Sequence, residues 1–248
     1  MSDVKSCLLV GVGGQGAILI SKIMSNGFMK AGYDVKQSEV HGMAQRGGSV
    51  STQVRWGSKV YGPVFGRGEA DIMVALEKME AVRYAEFLKP SGVVVINDYA
   101  IKSTTIASGA ETYPEGCIEA MARHFKTIAI PASDIALELG NPKCMNVVLF
   151  GAMCDSLGCP NIDWEQIVAE TVPAKVKDLN LQAFRAGHRA PQSAGTVLVL
   201  LVDDTGDEGE GSAQQEVGQL AHAGAGAEGQ VQQVFHQLDG HAVHGAQG

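Results

Sequence analysis

Two spacings of apolar residues take turns along the first three-quarters of the chain. KSCLLV (Lys5–Val10) is a short apolar run stopped by glycine, the pattern of a buried strand. In AILISKIMSNGFMKAG the apolar positions Ile18, Leu19, Ile23, Phe28 and Met29 recur close to helical spacing, and Gly32 makes a C-terminal stop. YDVKQSE then alternates as a strand, and SVSTQVRWGSKVYGPV predicts a hairpin turning near Gly57-Ser58. DIMVAL (Asp71–Leu76) and GVVVIN (Gly92–Asn97) read as buried strands, with a helix over EKMEAVRYAEFLK between them.

KTIAI (Lys126–Ile130) predicts a further strand, and ASDIALELG a helix ending on Gly140 with Pro142 behind it. CMNVVLFGAMCDSLG reads as an apolar, central helix. NIDWEQIV begins another, where Asp163 with Gln166 three residues on suits a capped start. The last helix, AKVKDLNLQAFRAG, is expected to stop at Gly187. Alternation of this kind predicts an α/β fold with three layers, α/β/α, around a mostly parallel, mixed and Rossmann-like sheet. One domain over residues 1–189 accommodates the order.

Composition changes the picture only beyond that point. Residues 1–189 carry all 19 Lys and Arg and 19 of the 27 acids, so the whole net charge of −8 lies in residues 190–248. That acidic segment, rich in Gly, Ala and Gln, lacks the apolar surface to offset chain entropy, which predicts a disordered or non-native C-terminal tail. Its four histidines, His222, His236, His241 and His244, read better as solvated residues than as metal ligands. No basic cluster suggests nucleic acid, and no apolar run approaches the roughly 18 residues of a membrane span. With no signal-peptide pattern, the expected location is cytoplasmic. The five cysteines (Cys7, Cys117, Cys144, Cys154, Cys159) form no CxxC pair, so buried reduced thiols are expected, with no metal held by this chain.

Two loops carry candidate chemistry. GVGGQG (Gly11–Gly16) follows the first strand and opens the first helix. Gly11, Gly13 and Gly16, with Gly14 and Gln15, can form a tight turn whose backbone N–H groups approach a phosphate at the helix N-terminus. A purely structural glycine turn is the plainer alternative. HGMAQRGG joins the second and third strand-like runs and mounts His41, Gln45, Arg46, Gly47 and Gly48 on a flexible connection. The Arg46 guanidinium beside two glycines suits a phosphate or carboxylate; a surface hairpin with a structural His41 is its alternative. For NAD, Glu39 is the nominal ribose ligand, but a strand follows it where a helix usually does.

GVGGQG, SEVHGMAQRGGSV, EADIMVALEKMEAVRYAEFLKPSGVVVIN and ELGNPKCMNVVLFGA together resemble the gamma-type domain of the 2-oxoacid:ferredoxin oxidoreductases, in its indolepyruvate form, from about residue 4 to Gly187. The tail departs from that pattern. The resemblance implies an enzyme that oxidatively decarboxylates an arylpyruvate with thiamine diphosphate, passes electrons through Fe–S clusters to ferredoxin and gives the acyl group to CoA. This chain has no GDG…N run for Mg–thiamine diphosphate and no CxxCxxC motif, so those groups are expected on a larger alpha subunit. The implied role here is to complete the site and help bind CoA through the two loops, with Asn146 also facing it or simply capping its helix. No residue is assigned as general acid or base. A self-sufficient NAD(P)-binding oxidoreductase and a non-catalytic interaction module are the alternatives.

Overall fold

A computed structural model describes residues 4–41 and 48–192, and the expected tail beyond them lies outside the described residues. The strands are β1 (Lys5–Val12), β2 (Asp34–His41), β3 (Ser49–Gly57), β4 (Ala70–Ala75), β5 (Leu88–Asn97) and β6 (Lys126–Ile130). The helices are α1 (Ala17–Lys30), α2 (Lys78–Arg83), α3 (Thr104–Ala107), α4 (Cys117–His124), α5 (Ala132–Glu138), α6 (Met145–Met153), α7 (Trp164–Thr171) and α8 (Lys177–Arg189). One six-stranded sheet has the order β2-β3-β1-β4-β5-β6. β3 is antiparallel to both neighbours, while β1, β4, β5 and β6 are parallel. The expected mixed, mostly parallel sheet is therefore present.

Successive residues of β1 point to opposite faces, and both faces are covered. Cys7 and Leu9 join a core with α1, α5, α6, α7 and α8, while Leu8 and Val10 join a second core with α2 and α4. A strand buried on both sides needs apolar residues at every position, hence the unbroken CLLV run. Each such side chain contributes about 1.5–3 kcal/mol by leaving water. In the larger core Phe28 stacks on Trp56 at 4.3 Å between centroids and meets Trp164 edge-on at 5.2 Å.

The expected caps form. Gly32 (φ 89°) closes α1, with Tyr33 N–H donating to the Phe28 carbonyl at 3.0 Å. Asp163 accepts from the Gln166 N–H at 2.9 Å, although the Gln166 side chain turns forward to Glu170. Two expectations are corrected. No return strand follows Gly57; β3 already pairs with β1 on one edge and β2 on the other, so neither edge is left for one. The stretch after it is instead pinned by Arg55 to the Gly62 and Val64 carbonyls and by Gln53 to the Phe65 N–H. Helix α8 also runs through Gly187 to Arg189. A Cβ on Gly187 would lie 1.8 Å from the Val148 carbonyl oxygen, so that glycine serves close packing against α6.

Candidate functional site

Because β3 alone runs against the rest, the last residues of β1, β2, β4, β5 and β6 share one edge with the first residue of β3. The chain leaves β1 for β2 and β3 on one side, while β4 to β6 lie on the other. In open α/β sheets such a reversal creates a crevice at the carboxyl ends of the strands, where ligands bind.

The glycine turn sits in that crevice. Gln15 Oε1 accepts from Val12 N–H at 2.7 Å, and its Nε2 donates to the Leu76 carbonyl at 2.8 Å. Gly11 lies in β1 opposite Val50, and a Cβ there would come within 2.8 Å of Gln15 Oε1. Gly16, at φ 89°, opens α1. Its carbonyl accepts from Leu19 N–H at 3.0 Å and from Asn146 Nδ2 at 3.2 Å. Asn146, 4% exposed, is thus brought to the turn across 130 residues. Gly14 is exposed, with open space beside it.

The second loop meets the first. Gly13 N–H donates to the Gly48 carbonyl at 2.8 Å, and Val12 pairs with Ser49. His41 ends β2 opposite Val50, on the far side of β3 from Gly11. Gln45, Arg46 and Gly47 lie outside the described residues. Seven of the expected residues are therefore gathered: Gly11, Gly13, Gly14, Gln15, Gly16, Gly48 and Asn146. The amides of Gln15 and Asn146 are spent on backbone groups of the protein and the Gly13 N–H on the Gly48 carbonyl, which leaves exposed Gly14 as the open part of the turn.

Beneath the edge lies a buried polar group that motif reading missed. Leu76 O also accepts from Asn97 Nδ2 at 3.1 Å, and Asn97 holds Ser133 through both ends of its amide. Glu77, fully buried, accepts from Glu80 N–H at 3.0 Å, from Ile101 N–H at 3.1 Å and from the Tyr113 hydroxyl. Glu80, 3% exposed, accepts from the Ser49 hydroxyl and pairs with Arg83 Nε at 3.1 Å. The usable signal was position: Glu77 and Asn97 are polar residues placed at the carboxyl ends of apolar strands.

Burial raises the Glu80 carboxyl, with nearby Glu77 adding to the effect and Ser49 and Arg83 opposing it. Burial, the bond to Glu77 and that residue's charge likewise raise the Tyr113 hydroxyl. Burial and the Glu77 charge push Cys117 up to about 11. At neutral pH this thiol is therefore protonated and a poor nucleophile. Cys117 lines a cavity of about 260 Å³ with Lys78, Asp98, Tyr113 and Gly116. All five cysteines are free and buried, and among the described residues no three His, Cys, Asp or Glu side chains group as metal ligands. This donor set does not fit an Fe–S cluster. Glu39 lies on the edge strand β2, with β3 between it and the glycine strand. A ribose ligand normally comes from the strand next to the glycine turn, so the order disfavours dinucleotide binding.

The family model for pyruvate ferredoxin/flavodoxin oxidoreductase matches residues 6–190. The chain belongs to this family. The indolepyruvate oxidoreductase subunit IorB of Pyrococcus horikoshii is 37% identical over 191 residues, covering 74% of this chain and 94% of that one. The subunit of the same name from Archaeoglobus fulgidus is 40% identical over 190 residues, covering 73% and 92%. Among solved structures, the gamma subunit of a keto/oxoacid ferredoxin oxidoreductase from Geobacter sulfurreducens superposes with a TM-score of 0.59 at 25% identity, covering 77% of this chain and 98% of that one. The 2-oxoglutarate:ferredoxin oxidoreductase of Magnetococcus marinus shares the fold, with a TM-score of 0.60 at 20% identity over 79% of this chain and 32% of that one. This family member is a subunit of a 2-oxoacid:ferredoxin oxidoreductase. No helix among the described residues is long and apolar enough to cross a membrane.

Proposed function

We propose that this chain is the small subunit of a cytoplasmic enzyme that oxidatively decarboxylates arylpyruvates, indolepyruvate among them, to acyl-CoA with ferredoxin as electron acceptor. The names of the relatives support the substrate class. One observation carries the role of this subunit: the 2.8 Å bond from Gly13 N–H to the Gly48 carbonyl, which joins the two anion-friendly loops at the switch point of the sheet. The glycine turn opens α1, where helix N-terminal N–H groups favour an anion, and Arg46 precedes Gly48 by two residues in the sequence. Together they complete a site for the CoA pyrophosphate. A larger alpha subunit holds thiamine diphosphate with its Mg ion and the Fe–S clusters. Thiamine diphosphate supplies the carbanion chemistry of decarboxylation when bound there. This chain binds and orients the acyl acceptor.

The test is Arg46→Ala in the assembled enzyme. Loss of a charge-assisted contact to phosphate, about 1.5–3 kcal/mol, raises KM for CoA by roughly one to two orders of magnitude. KM for the 2-oxoacid and the melting temperature stay at their wild-type values. Unchanged KM and kcat for CoA overturn the reading.

A further inference from the structure

Asn97, the last residue of β5, is fully buried, and its bonds run to β4 and α5 rather than to the glycine turn. Its whole side-chain amide is engaged. Nδ2 donates to the Leu76 carbonyl at 3.1 Å and to Ser133 Oγ at 2.9 Å, and Oδ1 accepts from Ser133 N–H at 3.2 Å. A primary amide has two N–H donors, so neither is left over for a ligand. Burying such a group costs free energy unless those bonds are made, and an apolar residue would suit a strand end that had only to pack.

The Leu76 carbonyl connects Asn97 to that turn. β4 pairs with β1 and β5 as far as Ala75, opposite Val10 and Ile96, so Leu76 lies one residue past both ladders. Its N–H still reaches the Val10 carbonyl at 2.9 Å, but its own carbonyl is held by two side-chain amides, those of Asn97 and Gln15. The 2.8 Å bond from Gln15 Nε2 fixes which way that amide faces. Oε1 is thereby turned to the Val12 N–H at 2.7 Å and fills the space beside Gly11. From this chain of contacts we infer that Asn97 is a positioning residue. It anchors the Leu76 carbonyl, the carbonyl orients Gln15, and Gln15 holds the turn in the shape that leaves Gly14 open to a ligand. The structural consequence stands on these bonds, whereas the kinetic one rests on the CoA reading above.

The experiment measures amide hydrogen exchange by mass spectrometry on the purified full-length chain, and KM for CoA in the assembled enzyme. Asn97→Ala speeds exchange in a peptide spanning residues 12–16 by roughly 3- to 30-fold and leaves α4 at its wild-type rate. Gln15→Glu keeps an acceptor for the Val12 N–H but gives up the donor to Leu76, and it speeds the same peptide. Ser133→Ala, which removes only a contact of Asn97 to α5, leaves the turn at its wild-type rate. The Asn97→Ala/Gln15→Ala double variant exchanges there no faster than Gln15→Ala, as expected for two steps of one path. In the enzyme, Gln15→Ala and Asn97→Ala each raise KM for CoA by roughly 3- to 30-fold while kcat changes less. Unchanged exchange at the turn in Asn97→Ala or in Gln15→Glu overturns the inference. So does a Ser133→Ala variant that matches Asn97→Ala, because Asn97 then serves only the start of α5. If Asn97→Ala does not fold, Gln15→Glu, a change at a half-buried position, still decides whether the Leu76 carbonyl holds the turn. Faster exchange at the turn with an unchanged KM for CoA in both Gln15→Ala and Asn97→Ala keeps Asn97 as the positioning residue and overturns the CoA reading instead.

Discussion

Gln15 links two strand ends with one side chain, its Oε1 accepting from the Val12 N–H and its Nε2 donating a hydrogen bond to the Leu76 carbonyl. Replacing it with Ala leaves the Val12 donor without its partner, at a cost of about 1–3 kcal/mol, and the Leu76 carbonyl with Asn97 alone. Gln15→Ala is therefore expected to lower the melting temperature in a thermal scan and to loosen the glycine turn. At this scale the sequence told residue type and place well but function less well. That the GVGGQG glycines form the turn was legible, because a strand stop and helix start flank them. That Gln15 and Asn146 spend their amides on the protein was not legible, since their acceptors, Leu76 O and Gly16 O, lie 61 and 130 residues away.

Helices α6 and α8 pack backbone against backbone. Gly151 faces the Phe184 carbonyl and Gly187 faces Val148, where an added Cβ would lie 2.2 and 1.8 Å from the respective oxygens. Helices brought so near transmit any added volume to both backbones, and a rigid core relaxes only in part. Gly187→Ala should destabilise the protein by about 1–3 kcal/mol or more, although alanine is the better helix former, as measured by denaturant unfolding. A stabilised variant would mean that the helices can separate without cost. The same element shows why the expected stop was misplaced. A glycine near a helix end reads as a cap when the partner helix is unknown, and only the crossing with α6 makes it an interior position. The hairpin expected near Gly57 has a parallel cause: alternation in KVYGPV suits a strand, but β3 had no open edge to receive it.

Across the whole molecule the two ends of the sheet are treated differently. The carboxyl edge carries the glycine turn and the buried Glu77–Glu80 pair, while the amino edge is closed by Asp71. Asp71 accepts from Ser6 N–H at 2.8 Å and pairs with Lys89 and Lys5. Burial works against its charged form, but the Lys89 bond, the Ser6 amide and both lysine charges outweigh this and lower its pKa. A carboxyl lowered in the folded state adds stability above its unfolded pKa of roughly 3.9 and loses it as pH falls through the folded value. Asp71→Asn is thus expected to cost about 1–3 kcal/mol at neutral pH, with the gap to wild type closing in strong acid. Equilibrium unfolding across that pH range checks both parts.

The sequence by itself determined the α/β class, the approximate position of every strand, the glycine turn at the start of α1 and the family resemblance, which the match over residues 6–190 supports. These rest on local patterns: apolar runs for strands buried on two faces, helical spacing, and glycine where φ is positive. Tertiary structure alone decided the strand order, with β3 between β1 and β2, and with it the meeting of Gly13 with Gly48 and of Ser49 with Glu80. It also decided that two acids and an asparagine would be buried at the carboxyl edge. The reason is physical. Which strand edges are free, and which polar groups find partners within hydrogen-bond reach, depend on residues far apart in the chain, and no local pattern carries that information.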